Sequence, residues 1–227
     1  MHRTLSLVAL ITLLGTHSLG QAEPVNLLVN GSFESTSLAN GRWTNTSAIT
    51  GWTRLGGTGG GFEVRNNVVG SAQDGRNFIE LDTNGNTSIG QYLDNLTAGA
   101  HYDLSFWYSP REGQPATTNG IQVFWNGLLL DDTITGQGGR GNSWSFHQYQ
   151  LVAAQGRNLL SFTSVGASDG RGGSLDNVSL TNSVPEPGTL TLALAALAGA
   201  FLLPRRLRRQ AEQRRATALA STLARQP

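Results

Sequence analysis

The chain contains no cysteine and no lysine, and these two absences exclude several kinds of chemistry. Without cysteine there can be no disulfide framework, no thiolate metal site and no cysteine nucleophile. Without lysine there can be no Schiff-base enzyme, no Walker-type phosphate loop and no Ser-Lys catalytic pair. Stability therefore has to come from side-chain packing, or from a metal ion bound through oxygen.

Two common catalytic motifs are also missing, because the sequence has no His-Glu-x-x-His and no phosphate loop. His101 and His147 are the only histidines between residues 23 and 184, and each lies in a strand-like run where a surface or packed imidazole is the usual case. We therefore do not expect an enzyme. The 13 acidic residues of the same region leave one alternative, a carboxylate pair for glycoside hydrolysis.

Charge is divided unevenly along the chain, although the net charge is only +1. Residues 23–184 hold 8 arginines against 13 acidic residues, whereas residues 204–227 hold 7 arginines against one glutamate. An acidic central region argues against nucleic acid as a partner.

The first 22 residues have the pattern of a secretory signal peptide. Positive charge at residues 1–3 precedes an apolar run from Leu5 to Leu14. Small residues then allow cleavage after Gly20 or after Ala22, and we favour Ala22. The chain is therefore expected to be exported.

Residues 184–209 contain three parts in a fixed order. A Pro-Glu-Pro element comes first, then an apolar run over residues 189–203, then an arginine cluster. The motif residues of this pattern are Pro185, Glu186, Pro187, Arg205, Arg206, Arg208 and Arg209. The order resembles the PEP-CTERM sorting signal of Gram-negative bacteria. That resemblance implies recognition by a membrane-embedded exosortase and delivery to the cell surface or biofilm matrix alongside exopolysaccharide.

The alternative for the apolar run is an ordinary single-pass transmembrane helix. Its 15 residues would span roughly 22 Å, which is short of the ~30 Å hydrocarbon core. Gly199 and five alanines give the run a slim surface that suits contact with a partner helix. The arginines are expected on the cytoplasmic side. Residues 210–227 then form an Arg- and Ala-rich cytoplasmic tail, either an amphipathic helix on anionic lipid or an extension without function.

Residues 23–183 predict one all-β domain, since short β-rich runs alternate with clusters of Gly, Asn, Asp and Ser. About eleven short strands predict two packed antiparallel sheets. The predicted strands are residues 26–29, 49–53, 62–65, 77–81, 88–93, 101–109, 121–125, 128–133, 145–152, 158–165 and 175–180. The alternation is clearest over residues 101–109. It predicts that Tyr102, Leu104, Phe106 and Tyr108 are core, and that Trp107 faces the other way.

Four short motifs at residues 26–34, 49–52, 78–82 and 175–180 resemble the galactose-binding-like jelly roll. That superfamily includes many carbohydrate-binding modules and the DUF642-type domains of exported proteins. The resemblance implies a jelly-roll β-sandwich. Several members also carry a structural calcium ion near the paired termini.

Glu34 and Asp176 are the calcium candidates that this resemblance implies. They would supply two of the 6 to 8 oxygen ligands, and backbone carbonyls the others. The alternative is that Glu34 caps a turn and Asp176 binds nearby backbone amides. Glu80 and Asp82 share one face of a strand, where a solvated strand edge is the expected role, ahead of a metal or acid-base role.

Five tryptophans raise a sugar-binding hypothesis, because indole rings stack on the apolar faces of pyranose rings. Trp52 is expected to be buried, which leaves Trp43, Trp107, Trp125 and Trp144. We favour Trp107 because of its predicted face, and then Trp144 because it borders the glycine-rich loop 136–141. Arg111 is a further candidate for bidentate binding of a carboxylate or of sugar hydroxyls. Its alternative role is a structural clamp with Glu112 or Asp82.

Together these patterns predict an exported, non-enzymatic jelly-roll protein that associates with exopolysaccharide. Two alternatives stay open. One is a structural or adhesion protein of the matrix without a sugar site, and the other, less favoured, is a carbohydrate-active enzyme.

Overall fold

The computed structural model describes residues 24–183, and within them every regular element is a β-strand. The strands are β1 Arg42–Thr46, β2 Ala48–Ile49, β3 Trp52–Gly57, β4 Phe62–Asn66, β5 Asn77–Glu80, β6 Thr87–Leu93, β7 His101–Ser109, β8 Gly120–Trp125, β9 Leu128–Leu129, β10 Ser145–Val152, β11 Asn158–Val165 and β12 Ser174–Asn182. No helix in this part of the chain is long and apolar enough to cross a membrane. The signal peptide, sorting signal, transmembrane segment and tail predicted from the sequence lie outside the described residues.

The strands form two antiparallel sheets of six strands each. Sheet A has the order β1-β4-β5-β12-β7-β10, and sheet B has the order β2-β3-β6-β11-β8-β9. The two-sheet, all-β prediction is therefore confirmed. Strands distant in sequence are neighbours in the sheets. The last strand, β12, lies between β5 and β7 in the middle of sheet A.

The core lies between the sheets and is built from the alternating apolar positions of each strand. In β7 the side chains of Tyr102, Leu104, Phe106 and Tyr108 are buried, which confirms the prediction for this strand. Phe106 meets Phe162 of β11 across the sandwich, with ring centroids 5.0 Å apart in a T-shaped arrangement. This contact stabilises the packing of the two sheets, because edge-to-face contacts between aromatic rings are favourable.

The hairpin from β8 to β9 shows how local sequence sets a connection. Asn126 and Gly127 join the two strands, and both have positive φ angles, 52° and 81°. A two-residue turn of this kind matches the twist of the paired strands, and Asn-Gly adopts it readily.

Three strand predictions need correction, and one strand was not predicted. The predicted strand 49–53 is interrupted by a turn at Thr50 and Gly51, so its two ends belong to the paired strands β2 and β3. Residues 26–29 do not form a ladder strand, because Asn26 Oδ1 accepts the N–H groups of both Leu28 and Leu180. The strand predicted at 128–133 ends at Leu129, after which Ile134 forms an isolated bridge with Ile121. β1 was not predicted, since its polar sequence Arg-Trp-Thr-Asn-Thr has no apolar alternation.

Candidate functional site

The face of sheet A that points away from the core carries an unusual set of side chains. One row crosses it from strand to strand in register. Trp43 lies opposite Arg65, which lies opposite Phe78. On the other half of the sheet, Asp176 lies opposite Trp107, which lies opposite Phe146. Because directly opposed residues of antiparallel strands point to the same side, these side chains share the outer face.

One part of this face is covered and the other is open. Loop residues 67–76 and the segment that precedes β10 cover β4, β5 and β12, so that Arg65, Phe78 and Asp176 are buried. On β7 and β10, in contrast, Trp107 is only partly buried and Phe146 is 52% exposed. The open part ends at β10, the edge strand of the sheet.

Trp107 and Phe146 form an aromatic platform on the open part. Their ring centroids are 5.3 Å apart, with an angle of 58° between the ring planes. The next outward pair along the same two strands is Ser105 opposite Gln148, which adds a hydroxyl and an amide beside the rings. The platform thus combines apolar rings with hydrogen-bonding side chains beside them.

Trp144, a sugar-binding candidate from the sequence, makes structural contacts with the loop 67–76 and with β5. Its indole N–H donates to the carbonyl of Ser71 at 3.0 Å, and its ring meets Phe78 edge-on with centroids 5.8 Å apart. Asn142 donates to the same carbonyl at 2.8 Å. Trp144 therefore fastens the loop 67–76 over sheet A, and its ring is half-buried.

Arg111 forms a structural clamp, but with Glu80 instead of Glu112 or Asp82. Its Nη1 lies 2.6 Å from Glu80 Oε1 and donates to the carbonyl of Gly170 at 3.3 Å. Glu80 Oε2 lies 2.6 Å from Arg65 Nη1. Glu63 completes the cluster at 2.5 Å from Arg65 Nη2. Two arginines and two glutamates thus alternate in one chain of ion pairs.

Glu80 is the centre of this buried charge cluster, and no part of it is exposed. Burial raises the pKa of Glu80 to about 8, while the charges of Arg65 and Arg111 act against that rise. Asp82 is fully buried too, and burial raises the pKa of its carboxyl as well. The prediction of a solvated strand edge for these two residues is wrong, because loops cover the face on which they lie.

Asp176 binds backbone amides, which was the alternative left open for it. Its Oδ2 accepts the N–H groups of Gln73 and Asp74 at 2.7 and 3.0 Å, and its Oδ1 accepts that of Asn177 at 2.7 Å. Burial nevertheless raises the pKa of Asp176 to about 7, because it outweighs these three bonds. The carboxyl group thus anchors the loop 67–76 next to Trp107.

Glu34 also holds this loop, two to three residues further along the chain. Its Oε1 accepts the N–H groups of Arg76 and Asn77 at 2.7 and 2.6 Å. Gly75 makes the approach possible, because a Cβ there would lie 2.6 Å from Glu34 Oε1 and its φ is +66°. Glu34 and Asp176 therefore act on one loop but through separate sets of amides.

A small polar pocket of about 150 Å³ beside Glu34 bears on the calcium prediction. Asn66 lines it together with Glu34, and its buried Oδ1 has no hydrogen-bond partner among the described residues. Asp176 is not among the described residues that line this pocket. No three His, Cys, Asp or Glu side chains within residues 24–183 lie close enough to share a metal ion. Glu34 and Asn66 share this pocket with the cationic residue Arg76, and calcium stays a prediction.

The other three tryptophans lie in the core or at the far edge of sheet A. Trp52 and Trp125 are buried in the core, and their indole N–H groups donate to the carbonyls of Asn30 and Val152. The predicted burial of Trp52 is confirmed, whereas the burial of Trp125 argues against it as a sugar-binding candidate. Trp43 is 54% exposed on the far edge of sheet A.

Phe146, Gln148 and Ser105 were not singled out from the sequence. Part of the information needed to find them was nevertheless in the sequence, because the strand 145–152 was predicted with the correct bounds. Its period of two places Phe146 and Gln148 on one face, and pairing with β7 would have shown which face.

No protein-family model matches the chain. Among curated proteins, the chain is 32% identical over 158 residues to the multifunctional-autoprocessing repeats-in-toxin of Vibrio vulnificus. It is 31% identical over 191 residues to halomucin of Haloquadratum walsbyi. These matches take in 70% and 78% of this chain but only 3% and 2% of the relatives, which are far longer.

Solved structures with a similar arrangement of strands include carbohydrate-binding modules. TmCBM61, solved in complex with β-1,4-galactotriose, has a TM-score of 0.48 and 18% identity over 70% of this chain and 99% of its own. A family 16 carbohydrate-binding module has a TM-score of 0.46 and 15% identity over 69% of this chain and 100% of its own. The two-sheet, all-β architecture is established by the strand order of the chain itself, and it is consistent with the jelly-roll sandwich expected from the sequence.

Proposed function

We propose that residues 24–183 form a glycan-binding domain and that the platform of Trp107 and Phe146 is its binding surface. The observation that supports this most directly is the in-register placement of the two rings, 5.3 Å apart, on the open part of sheet A. Large apolar side chains grouped on the surface of a soluble domain usually mark an interaction site.

The chemistry of the platform suits a sugar ring. A pyranose presents axial C–H groups on its face, which pack on aromatic rings, and hydroxyl groups at its rim, which need hydrogen-bond partners. Ser105 and Gln148 lie beside the rings and offer both donors and acceptors. An open sheet face without walls suits a polysaccharide chain better than a small free sugar, because the chain can extend beyond the rings.

We further propose that the protein is exported, sorted by an exosortase and retained at the cell surface or in an exopolysaccharide matrix. The Pro185–Pro187 element, the apolar run 189–203 and the arginine cluster after it support this proposal. Replacing Arg205, Arg206, Arg208 and Arg209 by serine should leave an unprocessed, membrane-retained precursor on a gel. Normal processing of that variant would contradict the sorting proposal.

We propose a structural role, not a catalytic one, for the buried acids. Glu63 and Glu80 are the acids brought together by Arg65, and Glu80 has the raised pKa that a general acid needs. However, Glu80 has no exposed surface from which to reach a substrate. The cluster is therefore assigned to structure.

The experiment that tests the binding function uses the domain 24–183 and a panel of bacterial exopolysaccharides and simple glycans. We expect saturable binding to at least one polysaccharide, weakened about tenfold or more by Trp107→Ala, which corresponds to about 1.4 kcal/mol. Trp43→Ala is the matched control, since it removes an exposed indole from the same face at the other edge. Absence of binding to every glycan would favour the structural or adhesion protein without a sugar site.

A further inference from the structure

β10 is an edge strand that lacks the usual protection against pairing. It ends sheet A, and it is eight residues long, whereas the other edge strands β1, β2 and β9 have five, two and two residues. It contains no charged residue and no proline. Natural sheets normally protect an edge with short strands, charges, prolines or bulges.

The free side of β10 can be identified from its hydrogen bonds. Ala153, just past the strand, donates its N–H to the carbonyl of Ala100. Along an antiparallel strand the hydrogen bonds to one neighbour are made by every second residue, so residues 145, 147, 149 and 151 bond to β7. The N–H and C=O groups of Phe146, Gln148 and Gln150 therefore point away from β7. The carbonyl of Val152 follows the same phase and accepts the indole N–H of Trp125.

We propose that β10 pairs antiparallel with β10 of a second copy of this chain, about a two-fold axis at Gln148. In that register Gln148 faces its own counterpart and Phe146 faces Gln150 of the other copy, so three residues on each side complete their hydrogen bonds. His147 faces Tyr149 of the other copy, which forms two cross-strand aromatic pairs. Both of these rings already stack on Phe106 at the rim of the core, with centroids 5.3 and 6.0 Å away.

The symmetry of the strand favours a second copy over an unrelated partner. Aromatic residues flank Gln148 on both sides, and no charge in β10 opposes its own counterpart across the axis. The pair joins two copies of sheet A into one sheet of twelve strands. Because opposed residues point to the same side, both Trp107–Phe146 platforms then lie on one face. This last consequence rests on the proposed function, and it allows two contacts with one polysaccharide.

Single cysteines test this pairing in the full chain, which has no cysteine of its own. At a hydrogen-bonded pair the Cα atoms are about 5.5 Å apart, which is within the range of a disulfide. We expect Gln148→Cys to give a disulfide-linked dimer on a non-reducing gel after mild oxidation. Gln150→Cys should not, because in this register the two sulfurs are separated by roughly 13 Å along the strands.

Gln155→Cys is the matched control, an exposed glutamine in the turn after β10. A dimer of Gln148→Cys alone supports the proposal. No dimer of Gln148→Cys, or equal amounts with all three cysteines, would overturn it, and unchanged thermal unfolding would show that the variants are folded. The measurement contains no glycan, so its outcome is independent of whether the platform binds sugar.

Discussion

Asp176 and Trp107 lie opposite each other on β12 and β7, yet Asp176 is fully buried whereas Trp107 is partly exposed. The boundary between the covered and the open part of sheet A thus runs between two paired residues. Asp176 lies on the covered side because it accepts the N–H groups of Gln73 and Asp74 from the loop 67–76. The loop defines where the aromatic platform begins, and the carboxyl group holds the loop.

The buried charge cluster should be essential for stability. Glu80→Ala leaves Arg65 and Arg111 without the carboxylate that both contact, and breaking a buried ion pair typically costs about 3–5 kcal/mol. Urea unfolding of the domain followed by circular dichroism measures this loss. Asp94→Ala is the control, because its pair with Arg157 is exposed and should leave the midpoint unchanged. Equal effects of the two substitutions would contradict a structural role for the cluster.

Asp176 should make stability depend on pH. Since burial raises its pKa to about 7 in the folded protein, the folded state holds a proton that the unfolded chain releases near pH 4. Its contribution is therefore full below pH ~4 and is lost as the pH rises to about 7. We expect Asp176→Asn to flatten this part of the curve of unfolding free energy against pH. An unchanged slope in Asp176→Asn would contradict this assignment.

Much of the fold follows from the period of two in the sequence. β7, β10 and β11 were predicted with the correct bounds, since each alternates apolar and polar residues or is rich in β-formers. β1 was missed because an exposed edge strand needs no apolar alternation. The strand predicted at residues 26–29 does not form, because the side chain of Asn26 accepts the N–H groups of Leu28 and Leu180 in place of a backbone ladder.

The candidate site was predictable only in part. Alternation placed Trp107 on the outer face, but its partner Phe146 depends on the pairing of β10 with β7, which joins residues about forty positions apart. Burial of Glu80 and Asp176 comes from irregular loops, and such loops have no periodic signal. Irregular segments also give Arg111 and Trp144 structural contacts that the sequence pattern does not show.

Calcium should stabilise the domain if the pocket beside Glu34 is a cation site. Because a ligand that binds only the folded state raises stability by about 2.7 kcal/mol at one hundred times its Kd, the melting temperature should rise with Ca²⁺ and fall again with a chelator. Glu34→Gln should remove the rise, whereas Asp176→Asn should keep it, since Asp176 does not line that pocket among the described residues. Loss of the rise in Asp176→Asn alone would favour the original pair, and no rise in the wild type would reject calcium.

Contact of Trp107 and Phe146 with the glycan can be followed directly through the indole N–H signals of the tryptophans by NMR. All five tryptophans of the chain lie within residues 24–183, so the nitrogen-labelled domain gives five such signals, assigned by Trp→Phe variants. On titration with a polysaccharide fragment that the domain binds, the Trp107 signal should shift progressively. Those of Trp52 and Trp125, whose N–H groups are bonded inside the core, should stay in place. A saturable shift of Trp43 or Trp144 with no change at Trp107 would contradict the account.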